Sequence, residues 1–274
     1  MKPGSRQKVA ARVSRLRPEF RDVRADGRRT ELHSDGQVLL PDFIDAGQCE
    51  ALYDHFRSKP VSDPYRAENG AFLPLSPDRP RDTHVAYHKE MDVVTAPGAL
   101  AIANDPRVLS IVAAFMGCKP TLSYLTAWWS FGGDGVPQQA EKFHRDVDDW
   151  SFVKLFVYLT PVDENTGPHV YVRGSANDNK LAEIRRFDDA EVSTAFGADN
   201  IIPLTGKAGT GLIEDTFGIH KGQPVLSGER LMFQAVYSLS PLFYGPAKPL
   251  LSASELPPGL RIDPWINRRF VSQN

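Results

Sequence analysis

Cysteine is scarce in this chain: Cys49 and Cys118 are the only two among 274 residues. Both sit in apolar helical patterns, which argues against a disulfide framework or a cysteine-built metal cluster and predicts two buried thiols. Long apolar runs are lacking too. No stretch approaches the ~20 residues that cross a bilayer, and the start has no apolar signal-peptide core, so a cytoplasmic protein with no membrane partner is expected. The loops of familiar nucleotide and hydrolase chemistry are also missing. "GKAGTG" at 206–211 has the wrong spacing for a phosphate loop or a dinucleotide fingerprint, and no serine nucleophile elbow occurs.

What is present is the composition of a globular protein: 41% hydrophobic and 24% charged residues support a substantial core and exclude disorder. One domain is expected over 31–274, preceded by a basic arm at 1–30. The net charge of -2 hides that arm, in which ten Lys and Arg face only Glu19, Asp22 and Asp26. Phe20 is its one aromatic, so stacking on bases has no support and no nucleic-acid partner is expected. A solvated or self-docking arm is the expectation.

Residues 36–56 read as a short strand entering a helix, with Asp45 as N-cap, Gln48 completing a capping box, and Cys49, Leu52, Tyr53 and Phe56 on one face. A second helix is bracketed by Asp105, Pro106 and Gly117 around Val108, Leu109, Val112, Phe115 and Met116. Between them, 60–95 has no sustained period and predicts a long loop. From Thr121 onward strands dominate: "TLSYLTAWWSF", "AEKFHRDV", "SFVKLFVYLTPV", "HVYVRGS", "TGLIED" and "ERLMFQAVYSL". An insertion at about 176–208 carries a helical pattern near Leu181 to Phe187. The pattern predicts a mainly β protein with flanking helices: a jelly-roll core in a helical jacket.

In "FHRDVDDW", an extended backbone puts His144 and Asp146 on one face and Arg145 on the other. A kinase loop is excluded because Ser151 stands where Asn is required. H-x-D alone is weak, and a surface cluster with Asp148 and Asp149 explains it equally well. The segment "DTFGIHKGQPVLSGERLMFQ" adds His220 and, ten residues on, Arg230 at the start of an apolar strand. A buried Arg is costly without an anion, and no acidic residue is forced onto its face, so a ligand carboxylate is implied. Two His and one Asp with open positions make the facial triad of non-haem Fe(II) oxygenases, and Arg suits the bidentate capture of the distal carboxylate of 2-oxoglutarate.

From 36 to about 240 the sequence resembles the phytanoyl-CoA dioxygenase family of Fe(II)/2-oxoglutarate oxygenases. The likeness lies in the order of H-x-D, "GPHVYVRGS", "GIHKG" and "SGERLMFQ". It implies a double-stranded β-helix (cupin-like) fold, His144, Asp146 and His220 as metal ligands, Arg230 as co-substrate anchor, and O2, succinate and CO2 in the reaction. Hydroxylation of a small molecule is favoured, because Asp146 leaves no ligand position open for chloride. Many relatives share the co-substrate carboxylate through a hydroxyl two residues after the Arg; here that residue is Met232, and Lys154 is the candidate second anchor. Tyr87, His88, Trp128 and Trp129 are candidates for the mouth, whereas His169 is expected to be structural and His33, His55 and His84 ordinary. A monomer or homodimer is expected. Two rivals stay open: a zinc hydrolase, which gives Arg230 no role, and a catalytically silent jelly-roll binding module.

Overall fold

The computed structural model describes residues 2–21, 28–133 and 136–272. In chain order the elements are α1 (Pro3–Ser14), α2 (Arg28–Ser34), β1 (Gln37–Leu40), α3 (Ala46–Arg57), β2 (Val61–Ser62), β3 (Ala71–Phe72), β4 (Val85–His88), α4 (Glu90–Val94), α5 (Ala99–Ala103), α6 (Pro106–Met116) and β5 (Thr121–Phe131). They continue with β6 (Phe152–Tyr158), β7 (His169–Val172), α7 (Asp189–Phe196), β8 (Ile201–Leu204), β9 (Gly211–Glu214), β10 (His220–Gly222) and β11 (Glu229–Ser238).

The strands form an antiparallel eight-stranded sheet, ordered β1-β9-β6-β11-β5-β4-β2-β3, and a three-stranded sheet, β10-β7-β8. Tyr171 and Leu204 of the small sheet pack on Trp128, Phe156, Tyr158, Leu212 and Met232 of the large one, which gives the expected jelly-roll core.

Both faces of the large sheet are covered, so its strands read as nearly continuous apolar runs, and the alternation of side chains decides which face each residue serves. On β5, Leu125, Ala127, Trp129 and Phe131 pack under the helices, while Tyr124, Thr126, Trp128 and Ser130 face the interior. Likewise β11 sends Leu231, Phe233 and Ala235 to the helices but Arg230, Met232 and Gln234 inward. On β6, Val153, Leu155 and Val157 join the helices, and Lys154, Phe156 and Tyr158 point in.

Two helices carry the expected ends. Asp45 accepts from the Gln48 amide at 2.8 Å while the Gln48 side chain accepts from the Asp45 amide at 3.1 Å. Asp105 caps α6, and Gly117 closes it at φ 72°, a left-handed conformation cheap only for glycine. The apolar stretch Ala99–Met116 is two helices, α5 and α6, and 67% of it is buried against the sheet, as in a core helix.

Three expectations change. Residues 60–95 are not one loop, because β2, β3 and β4 extend the large sheet. The helix of the supposed insertion lies at Asp189–Phe196 rather than near Leu181 to Phe187, and β8 within it pairs with β7, so the segment builds the core. "AEKFHRDV" is no regular strand but is held by single bridges, Phe143 to Phe187 and His144 to His220. The N-terminal region docks: Arg6 of α1 is 4% exposed and reaches Asp215 through both terminal nitrogens at 3.0 Å. Residues 22–27 of the expected arm lie outside the described residues.

Candidate active site

The backbones of His144 and His220 exchange two hydrogen bonds, each 3.0 Å, and the Asp146 amide donates to Thr216 O at 2.9 Å. This pairing joins two segments more than seventy residues apart in sequence. Arg145, between the two candidate ligands, turns the other way and is 7% exposed. Its guanidinium donates to the carbonyls of Ser175, Asp178, Lys180, Leu181 and Phe217, which ties the H-x-D segment to both neighbouring loops.

His144 Nε2 lies 3.6 Å from Asp146 Oδ1, and His220 Nε2 lies 3.4 Å from Asp146 Oδ2. One ligand atom from each of the three falls within 4.8 Å of the others. His144 Nδ1 donates to Lys142 O and His220 Nδ1 to Gly218 O, both at 2.9 Å. A carbonyl only accepts, so each ring carries its proton on Nδ1 and turns the Nε2 lone pair to the centre, the orientation of a metal ligand.

Burial, and next His220, push the His144 imidazole down to about 3. Burial opposes charge on His220 as well, but Asp146 outweighs it and raises His220. Asp146 stays well below the usual carboxylate range despite burial, because Lys154 and then His220 favour its anion.

A cavity of about 340 Å³ opens on this cluster. At another part of its wall Arg230 is 4% exposed. Its Nη2 donates to Ser130 Oγ at 2.9 Å, while Nε and Nη1 are buried with no hydrogen-bond partner among the described residues. Ser130 stands directly opposite Arg230 in the β5–β11 register. A hydroxyl therefore stands beside Arg230 from the neighbouring strand rather than from position 232, a pairing visible only once the register is known.

Lys154 does not fill that place. It pairs with Val236, six residues beyond Arg230 on β11, or about 20 Å along the strand. Its Nζ donates instead to Asp146 Oδ2 at 2.7 Å and lies 3.1 Å from Asp148 Oδ2.

Tyr87 and Trp128 line the cavity as a stacked pair, ring centroids 5.6 Å apart. His88 and Trp129, one residue on, have the opposite parity. Trp129 Nε1 donates to His88 Nε2 at 3.1 Å beneath the helices, which removes both from the mouth.

Two histidines set aside in the sequence line the cavity. His169 meets Glu214 through Nδ1 at 2.8 Å, with its ring centroid 5.4 Å from that of His220. His84 meets Glu141 through Nδ1 at 3.0 Å. Glu141 had no signal in sequence, since its contact depends on His84, just before β4, reaching the turn Gln139–Glu141. Arg66 also lines the cavity, whereas Arg268 bonds Thr121 Oγ1 and Trp265 O.

The fold is shared with several solved structures. The non-haem α-ketoglutarate-dependent carbocyclase SnoK from nogalamycin biosynthesis superposes with a TM-score of 0.57 at 13% identity, covering 80% of this chain and 86% of that one. EctD from S. alaskensis gives 0.55 at 17% identity, covering 81% and 80%. HygX from Streptomyces hygroscopicus, solved with nickel and 2-oxoglutarate bound, gives 0.53 at 16%, covering 79% and 87%. No curated protein sequence matches the chain. The model of the phytanoyl-CoA dioxygenase family, however, matches residues 32–232, a span that runs from α2 into β11 and takes in His144, Asp146, His220 and Arg230, and the chain therefore belongs to that family.

Proposed function

We propose that the protein is an Fe(II)- and 2-oxoglutarate-dependent dioxygenase that hydroxylates a C–H bond of a small molecule. The observation that carries this is an N,N,O cluster sharing one cavity with a buried arginine, two of whose guanidinium nitrogens have no hydrogen-bond partner among the described residues. The residues fit the groups they would hold. His144, Asp146 and His220 form the donor set that suits Fe(II) while leaving positions open, and Arg230 and Ser130 together match a distal carboxylate. When bound, iron, 2-oxoglutarate and O2 supply a C–H oxidation coupled to release of succinate and CO2.

The chain's own part is to bind, orient and shield. Nδ1 hydrogen bonds fix both imidazole planes, Arg145 braces the segment that carries two ligands, and Ser130 steadies Arg230. Phe156, Trp128 and Tyr87 form an apolar wall that limits water near the reacting carbon. A zinc hydrolase would give no purpose to Arg230 Nε and Nη1, which lack a partner among the described residues.

The test is anaerobic titration with Fe(II) and 2-oxoglutarate, following the visible metal-to-ligand charge-transfer band. The band is expected in the wild type, absent in His220→Ala, and formed only at about 10–100-fold higher 2-oxoglutarate in Arg230→Ala, the effect of losing hydrogen bonds to a charged group. No band in folded wild-type protein would overturn the proposal.

A further inference from the structure

We propose that Lys154 is a positioning residue that keeps Asp148 off the metal and holds Asp146 to single-oxygen ligation, so that coordination positions stay open for the co-substrate. The inference rests on the iron site proposed above.

Asp146 and Asp148 are separated by one residue, and both line the cavity that contains His144 and His220. Without a further charge, this corner would offer a divalent cation two imidazoles and two carboxylates. Such a set would close positions that a co-substrate and O2 require. Lys154 enters from β6, the inner-face parity placing it among Phe156 and Tyr158. Its side chain is 12% exposed, and its ammonium stands between the carboxylates, 2.7 Å from Asp146 Oδ2 and 3.1 Å from Asp148 Oδ2.

Two consequences follow from that placement. With Oδ2 tied to the ammonium, Asp146 Oδ1, 3.6 Å from His144 Nε2, is the oxygen that Lys154 does not hold. Asp148 Oδ2, 3.1 Å from the ammonium, has its charge partly offset there and gains less by turning to a metal. Charge points the same way. With neutral imidazoles the corner carries one net negative charge, as an ordinary two-histidine, one-carboxylate site does. Removing Lys154 would make it two and would repel an incoming dianion.

Cobalt(II) is the probe, since its visible d–d bands report coordination number without oxygen chemistry. Co(II) uptake, the d–d spectrum and 2-oxoglutarate binding to the Co(II)-loaded protein are compared in wild type, Lys154→Met and Lys154→Met/Asp148→Asn. The single variant is expected to hold Co(II) at least as tightly as wild type, with an altered spectrum. Its 2-oxoglutarate affinity should fall by about tenfold or more, as for one uncompensated charge a few ångströms away in a medium of effective dielectric about 20. The double variant should regain the wild-type spectrum and most of the affinity.

Lys154→Gln, uncharged but able to hydrogen-bond Asp146, serves if Lys154→Met does not fold. A wild-type spectrum and affinity in the uncharged single variants, or a loss that Asp148→Asn fails to repair, would overturn this role alone. Wild-type protein that takes up no Co(II) would overturn the metal site itself and this role with it.

Discussion

His88 shows what a single step along a strand does. Tyr87 faces the cavity, while His88 lies beneath the helices, 6% exposed, accepting from Trp129 Nε1. Burial, and next the neighbouring His55, push the imidazole down to about 4. The folded protein therefore keeps His88 neutral where the unfolded chain, near the ordinary 6.5, takes up a proton. Because the unfolded state binds more protons, this stability is present in full above about pH 6.5 and is lost as pH falls from 6.5 toward 4. The full loss is on the order of 3 kcal/mol. Denaturant titrations of metal-free protein across that window should show the slope, and His88→Gln, which keeps an acceptor for Trp129, should flatten it. An unchanged slope in His88→Gln would assign the pH dependence elsewhere. The same one-residue parity separates Trp128 from Trp129, and it was not legible in "TLSYLTAWWSF" because a strand covered on both faces loses its polar alternation.

Helix α1 matters through its grip on the turn that leads into β10. Arg6 is buried against Asp215 and lies over the Phe217 ring, 4.3 Å to its centroid, so the helix clasps the segment that delivers His220. Removing one partner of a buried pair leaves an uncompensated charge, and Arg6→Met should destabilise the fold by about 3–5 kcal/mol. Arg6→Met/Asp215→Asn should recover much of that loss. Thermal melts measure the stability, and amide exchange over 215–220 should accelerate in Arg6→Met but not in the double variant. Equal exchange in all three would show that α1 does not brace the turn. At this scale local chemistry was readable: the Asp45–Gln48 box and the Asp105, Pro106, Gly117 bracket need only their own few residues. The short strands β2, β3 and β8 were not, because two to four residues become strands only where a partner edge is waiting.

The proposed metal would act on the whole molecule, because its ligands come from two distant segments. An ion that binds only the folded arrangement stabilises it by mass action, about 2.7 kcal/mol at a hundredfold excess over its dissociation constant. Addition of Ni(II) or Co(II) should therefore raise the melting temperature, a chelator should reverse the rise, and His144→Ala should abolish it. A melting temperature insensitive to metal in the wild type would count against the site. At this scale the sequence by itself determined the fold class, two helices with their caps, and the choice of His144, Asp146, His220 and Arg230 as candidates, because these depend on residue type and spacing within short segments and on their order along the chain. Tertiary structure alone decided that Ser130 rather than Lys154 accompanies Arg230, that Lys154 instead holds Asp146 and Asp148, that His84, Glu141 and His169 reach the cavity, and that Arg6 closes on Asp215. Each of those contacts depends on strand register or on the approach of segments far apart in the chain, and register is set by the packing of both sheet faces at once.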